Sequence, residues 1–574
     1  MLDQVIRGGM IVDGTGAPAR RGDIGIRDGV VVAVGEVDDS ARAVVDADGL
    51  VVAPGFIDPH THYDAQLWWD PLANPSNVHG VTTVIAGNCG FTLAPVAPDD
   101  VDYTSRMMAR VEGMSLTALQ QGVSWRWKSF AEFLDGLDGN IGVNAGFMVG
   151  HCAIRRWVMG PAAVEAEATA DQIVAMAHEL HRSIEAGGLG LSTTRSSSHS
   201  DGDGLPVPSR VASRDELFAL CRAVGEHPGT VLEAIVEGCN HLFSDEEVEV
   251  LAGMSIAARR PLNWNVLTVD AAAPQRIVRQ RDPSLRAAER GGRVVALTMP
   301  TLAPMNMSLR NFCAIFSLPG WGSVLNLPVP ERMLKLRDPA VRAWLLEQAR
   351  SPAAGVFARV ADFDHYVVGD VVSPRNAGLA GRVVADIAAE RGQSPFDTFV
   401  DIALEDELRT VWWPTPTDDN APSWEMRRQA WDFDWTLLGG SDAGAHLDRL
   451  CGANYPTAFL ADVLRGRRLV TLERAVQLLS DAPAREFGLQ GRGRIAAGWR
   501  ADIVAFDPDV VGSERAGMVA DLPGGGSRLT SASTGVARVM VNGVTTVVDG
   551  RATGETPGTV LRSGRDTVTS HAVS

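Results

Sequence analysis

Short apolar runs punctuated by glycine, proline and Asp-Gly pairs fill the first fifty residues: Gln4 to Arg7, Met10 to Val12, Asp23 to Ile26, Val30 to Val34 and Ala43 to Val45. Side chains on a strand alternate between faces, so these runs predict small antiparallel strands. Residues 494 to 551 repeat the pattern, with Ala501 to Phe506, Val536 to Val541 and Thr545 to Val548, the last two joined by Asn542-Gly543. Asn-Gly favours the positive φ angles of a two-residue hairpin. The two ends are therefore expected to combine into one small β-sandwich domain, residues 1–53 with 490–560.

Between them lie eight apolar segments of strand length, each ended by polar residues: Val51 to Asp58, Thr82 to Ala86, Val143 to Val149, Leu189 to Ser192, Val231 to Ile235, Leu262 to Leu267, Val294 to Met299 and Thr436 to Ser441. Amphipathic helices are expected in several gaps, for instance Ala170 to Ala186 and Asp215 to Gly225. Eight strand-helix units predict an α/β fold, a TIM-type (β/α)8 barrel over residues 54–489. The gap before the last strand is far too long for a barrel loop and carries its own elements, including Pro328 to Gln348 and Ala380 to Arg391. It is read as an insertion at about 301–430, of the kind that serves as a substrate lid. The tail after Pro557 is read as weakly ordered.

Composition narrows the function classes. The 574 residues are 45% hydrophobic and 21% charged, as in an ordinary large soluble protein. The formal net charge of −18, with acids and bases interspersed, argues against nucleic acid or an anionic membrane surface as partner. No stretch fits a signal peptide or a membrane span, so a cytoplasmic address is expected. Six scattered cysteines without a CxxC pair suit a reducing compartment. A small-molecule substrate and a homo-oligomeric assembly complete the expectation.

Chemistry in such a barrel sits where the strands end. The first segment leads into Pro59-His60-Thr61-His62, whose i, i+2 spacing on extended backbone turns both imidazoles to one side, toward a single divalent cation. The second leads to Gly87-Asn88-Cys89-Gly90, where the thiol is either a soft metal ligand or a small buried residue. The third gives His151. The fourth gives Arg195 and then His199, either substrate anchors or ordinary rim residues. The fifth carries Glu233, a ligand or a solvated carboxylate, and the sixth Asn263 and Asn265. The eighth gives Asp442, followed by His446. Two histidines and a carboxylate at one barrel mouth form a ligand set with few structural explanations.

These residues resemble a family. Gly55-Phe56-Ile57-Asp58-Pro59-His60-Thr61-His62-Tyr63-Asp64, the stretch His79-Gly80-Val81-Thr82-Thr83 to Gly87-Asn88-Cys89-Gly90, the motif Gly440-Ser441-Asp442 and the ending Gly493-Arg494-Ile495 to Ala501-Asp502-Ile503-Val504-Ala505-Phe506-Asp507-Pro508 are similar to the amidohydrolase superfamily, in its N-acyl-D-amino-acid deacylase (D-aminoacylase) branch. The likeness runs from Val5 to about Gly554. It implies an HxH metal pair at His60 and His62, a cysteine ligand at Cys89 in place of a carboxylated lysine, and a metal-binding catalytic aspartate at Asp442. The chain's two lysines, Lys128 and Lys335, follow no barrel strand, so no bridging carbamate is available. The resemblance also implies histidine ligands after the fifth and sixth strands and a substrate-grasping lysine near the sixth. Here the chain has Glu233, Asn263 and Asn265, and neither lysine lies there.

The expected function is metal-dependent hydrolysis of a carbon–nitrogen amide bond with about one Zn²⁺ per chain. Asp442 would move the proton, and His151 would help the metal stabilise the oxyanion. His151, Arg195 and His199 are the candidate substrate contacts. Two other readings stand beside it: a lyase or non-amide hydrolase on the same metal barrel, and a binding module that has lost catalysis.

Overall fold

Both ends of the chain share one sheet. In the computed structural model, which describes residues 1–311 and 313–570, Leu2–Ile11, Arg20–Arg27, Val30–Gly35, Ala41–Asp46 and Val51–Pro54 join Ile503–Phe506, Val536–Val541, Val544–Val548 and Arg551–Ala552 in nine hydrogen-bonded strands. The seam is antiparallel, with Val52 opposite Ala505. The two runs expected at Gln4 and Met10 are a single strand, because its register slips between Ile6 and Gly9, where Gly8 takes φ 69° and the strand bulges. Asn542 and Gly543 have φ 47° and 79°, the backbone expected of their hairpin.

The chain passes at Gly55 from this sheet into the body, and there a Cβ would sit 2.2 Å from the Thr82 side chain. The body's strands are β1 (Phe56–Asp58), β2 (Val81–Ala86), β3 (Asn144–Phe147, resuming at Val149–Gly150), β4 (Gly190–Thr194), β5 (Val231–Ile235), β6 (Leu262–Trp264), β7 (Val294–Thr298) and β8 (Thr436–Leu438). Each pairs in parallel with the next. A parallel bridge from Thr61 to Ala443, just past β1 and β8, returns the order to its start. Nearly every residue on these strands is buried, as strands covered on both faces require. The helices Ala170–Glu185 and Arg214–Gly225 form where periodicity placed them. Thr169 with Gln172 caps the first reciprocally, and Ser213 caps the second.

The tail corrects the reading of weak order. Val560–Leu561 is fully buried and pairs in parallel with Ala145 and Gly146 of β3, while Val568 donates to Gly488. Its two apolar side chains carried too short a pattern to stand out.

Contacts divide the chain into two units, Met1–Ala303 with Ala421–Ser574, and Pro304–Asn420. The second has its own aromatic core, in which Phe363 stacks on Trp321 and Phe399 packs on Trp412. The element expected at Pro328 to Gln348 is two helices, Val329–Leu336 and Pro339–Ala349, because Asp338 caps the second and Pro339 cannot continue the first. Among the described residues no disulfide forms, and no helix is long and apolar enough to cross a membrane.

Candidate metal centre

The loops leaving β1 and β8 are zipped backbone to backbone. His62 N–H donates to Ala443 O at 2.7 Å, and Asp442 N–H to His60 O at 3.2 Å. Buried Asp58 fastens both, its Oδ1 accepting from the N–H groups of His60, Gly440 and Ser441, each at 3.3 Å. Gly444 is required here, since at φ 93° a Cβ would lie 2.4 Å from His62 O. The β2 loop is tied in by side chains. Asp64 accepts from Gly87 N–H at 3.0 Å, and Asn88 Nδ2 donates to Thr61 O at 3.1 Å. Three non-glycine residues of these loops, Cys89, Asp442 and His446, take left-handed φ of 54°, 60° and 49°. Such conformations cost about 1–3 kcal/mol each and gather where function holds them.

This scaffold brings four of the expected ligands together. His60 Nε2 lies 3.7 Å from Cys89 Sγ and 3.7 Å from Asp442 Oδ1, and His62 Nε2 lies 3.1 Å from Asp442 Oδ1. Tetrahedral zinc with ordinary bonds to N, O and S spaces its donors about 3.3–3.7 Å apart, close to these pairwise separations, although among the described residues the four donors fall into two overlapping clusters and not one. The donors of His60, His62 and Cys89 all lie within 4.8 Å of one another, as do those of His62, Glu112 and Asp442.

The electrostatics agree with that fit. Burial, reinforced by Glu233 and Glu112, pushes the Cys89 thiol well up, and burial raises Glu233 to about 8. Burial lifts Glu112 as well, against the pull of His62. Asp442 goes the other way: burial would raise it, but the hydrogen bond and charge of His62, with His446 and His60 nearby, hold it well below the usual carboxylate range. Crowding this many acidic groups in one buried place is costly without a compensating cation. Asp442 is also the wettest of the four candidate ligands, its side chain 29% exposed against 2% for His60.

The other expected residues part company. His151 is fully buried with both ring nitrogens taken, Nδ1 by Thr193 Oγ1 and Nε2 by Glu216 Oε1, each at 2.9 Å, and Arg155 Nε donates to the same Glu216 oxygen. That corrects its expected place in the site: it anchors the β3 loop to the helix Arg214–Gly225. Arg195 donates to Ala212 O and is half-buried. His199 lies within electrostatic reach of the cluster. Thr194 Oγ1 lies 2.8 Å from its Nδ1, its ring meets Phe91 edge-on, and burial followed by the charges of His446 and His62 lowers it to about 3. Glu233 accepts Cys89 N–H at 2.7 Å, and Asn265 Nδ2 lies 3.5 Å from Cys89 Sγ, so both line the cluster, whereas Asn263 Nδ2 is spent on Leu232 O. Glu112 went unread. It follows the helix Val101–Val111 in a loop without strand or motif, and only the fold turns it inward.

The model of the amidohydrolase family matches residues 43–553. The chain belongs to that family. The D-aminoacylase of Alcaligenes xylosoxydans xylosoxydans is 28% identical over 98% of this chain and 97% of its own. The zinc- and phosphonate-bound N-acyl-D-glutamate deacylase of Bordetella bronchiseptica superposes with a TM-score of 0.63 at 27% identity, over 98% of this chain and 100% of that one. A D-aminoacylase structure described for its binuclear metal centre gives 0.63 at 26%, with the same coverage. These place this amidohydrolase in the D-aminoacylase branch, an α/β fold of TIM-barrel type. The amidohydrolase carries Glu233 within β5, Asn263 within β6 and Asn265 just after β6, and Lys128 is exposed.

Proposed function

We propose that this amidohydrolase is a metal-dependent deacylase that hydrolyses the amide bond of N-acyl amino acids, with one tightly held Zn²⁺. His60, His62, Cys89 and Asp442 would hold the ion. When bound, zinc supplies Lewis acidity, polarising the amide carbonyl and making water acidic near pH ~7. Asp442 then has the proton work. Its carboxylate, kept ionised by the histidines around it, takes the proton of the attacking water and passes it to the leaving nitrogen. His199, a neutral imidazole beside the cluster, offers a hydrogen bond to the substrate. The residues 1–53 with 490–560 act as the small β domain, and 54–489 as the hydrolase body.

The carrying observation is the placement of Asp442, 3.1 Å from His62 Nε2 and yet open to solvent. A binding module has no need of a strained, ionised carboxylate there. Screening N-acyl amino acids of both hands against the zinc-loaded protein, with Asp442→Asn as control, tests the reading. Amine release by the wild type alone is expected. No release from any substrate would leave the lyase or the binding module in its place.

A further inference from the structure

Glu112 has no part in the chemistry above, although its side chain is only 4% exposed and points at a ligand. Its own N–H closes the preceding helix on Met108 O at 3.0 Å, and its carbonyl accepts His446 N–H at 2.5 Å. The side chain is thereby pinned between the β2 and β8 loops. Glu112 Oε1 lies 3.6 Å from His62 Nδ1, while the other nitrogen of that ring, Nε2, faces Asp442. His62 Nδ1 is buried and makes no hydrogen bond. The next buried carboxylate after His62, Asp64, accepts Gly87 N–H through Oδ2 and leaves Oδ1 buried without a hydrogen bond, but it is Glu112 that comes within ion-pair distance of His62 Nδ1.

A neutral imidazole that gives Nε2 to a cation carries its proton on Nδ1. That N–H needs an acceptor, and ligating histidines commonly find it in a carboxylate that fixes tautomer and ring orientation. Resting on the reading of His62 as a ligand, we propose that Glu112 is the positioning residue of this centre. With Nε2 on the ion, its carboxylate closes the 3.6 Å gap to accept a hydrogen bond from His62 Nδ1–H and so holds Nε2 toward the ion. Through its backbone bond to His446, whose Nε2 lies 3.6 Å from Asp442 Oδ2, the same residue couples the His62 side of the site to the loop that carries the proton shuttle.

The test uses the full chain, stripped and reloaded. Zinc affinity is read by competition with a chromophoric chelator, and the ligand field by the visible spectrum of the cobalt(II) form. Glu112→Ala should weaken zinc by 10- to 100-fold, the range for losing such an outer partner, and leave the cobalt bands in place. Glu112→Gln, whose amide oxygen can still accept, should recover part of the affinity, and serves alone if the alanine variant fails to fold. The melting temperature of the metal-free variants should stay near that of the metal-free wild type, which a merely structural role would not allow. Unchanged zinc affinity would overturn the proposal, as would altered cobalt bands, which would make Glu112 a direct ligand. Wild-type protein that takes up no metal at all would instead overturn the function proposed above.

Discussion

Replacing Asp442 by Asn changes one oxygen and leaves the scaffold. The left-handed φ of 60° at this position suits Asn as well as Asp. The backbone bond from residue 442 to His60 O is untouched, and His60, His62 and Cys89 still offer three donors. What disappears is the carboxylate that the surrounding imidazoles keep ionised. Losing a general acid-base group typically costs 10²–10⁴ in rate, or about 3–5.5 kcal/mol of transition-state stabilisation. Asp442→Asn should therefore lose kcat by that factor while KM and circular dichroism hold steady. Zinc content, measured by elemental analysis after dialysis, should fall less than in His60→Ala. Near-normal turnover in zinc-loaded Asp442→Asn would refute the mechanism. Glu233, buried against Cys89 N–H, would become the next base to examine.

Elemental analysis of the wild type should give about one zinc per chain, because β5 and β6 with the residue after it offer Glu233, Asn263 and Asn265 and no histidine; two equivalents surviving dialysis would break the mononuclear reading. Alkylation of Cys89 should be slow in the holo protein and speed up after chelation, since a coordinated thiolate is shielded, whereas equal rates would make it an ordinary core thiol. Gly444→Ala combines a φ of 93° with a Cβ 2.4 Å from His62 O, so it should lose more than ~1 kcal/mol of stability and retain zinc poorly; an unchanged melting temperature would contradict the close approach. Glu216→Ala leaves His151 and Arg155 without their shared buried partner and should cost about 3–5 kcal/mol in chemical denaturation, with kcat of the folded fraction preserved. A selective loss of kcat would return His151 to the site.

The sequence by itself determined the strand-helix rhythm of the body, the sharing of a sheet by the two chain ends, and four candidate ligand positions, because these signals are local. Apolar alternation writes a strand, Asn542-Gly543 writes its own turn, and His60 and His62 share a face by spacing alone. Cys89 and Asp442 were legible because each directly follows a strand, where a parallel barrel puts its chemistry. Glu112 was beyond reach: nothing within ten residues of it differs from an ordinary helix end, and its carboxylate matters only because His446 and His62, far away in sequence, come to meet it. His151 failed for the converse reason. Its position after β3 resembles that of a site residue, but its two nitrogens are claimed by Thr193 and Glu216, from later segments of the chain. Val560 and Leu561 gave two apolar residues and no pattern, and their order comes from an open edge of β3. Local periodicity fixes the element, while the use of each polar atom depends on which distant partner satisfies it first, and that is settled only when the chain has folded.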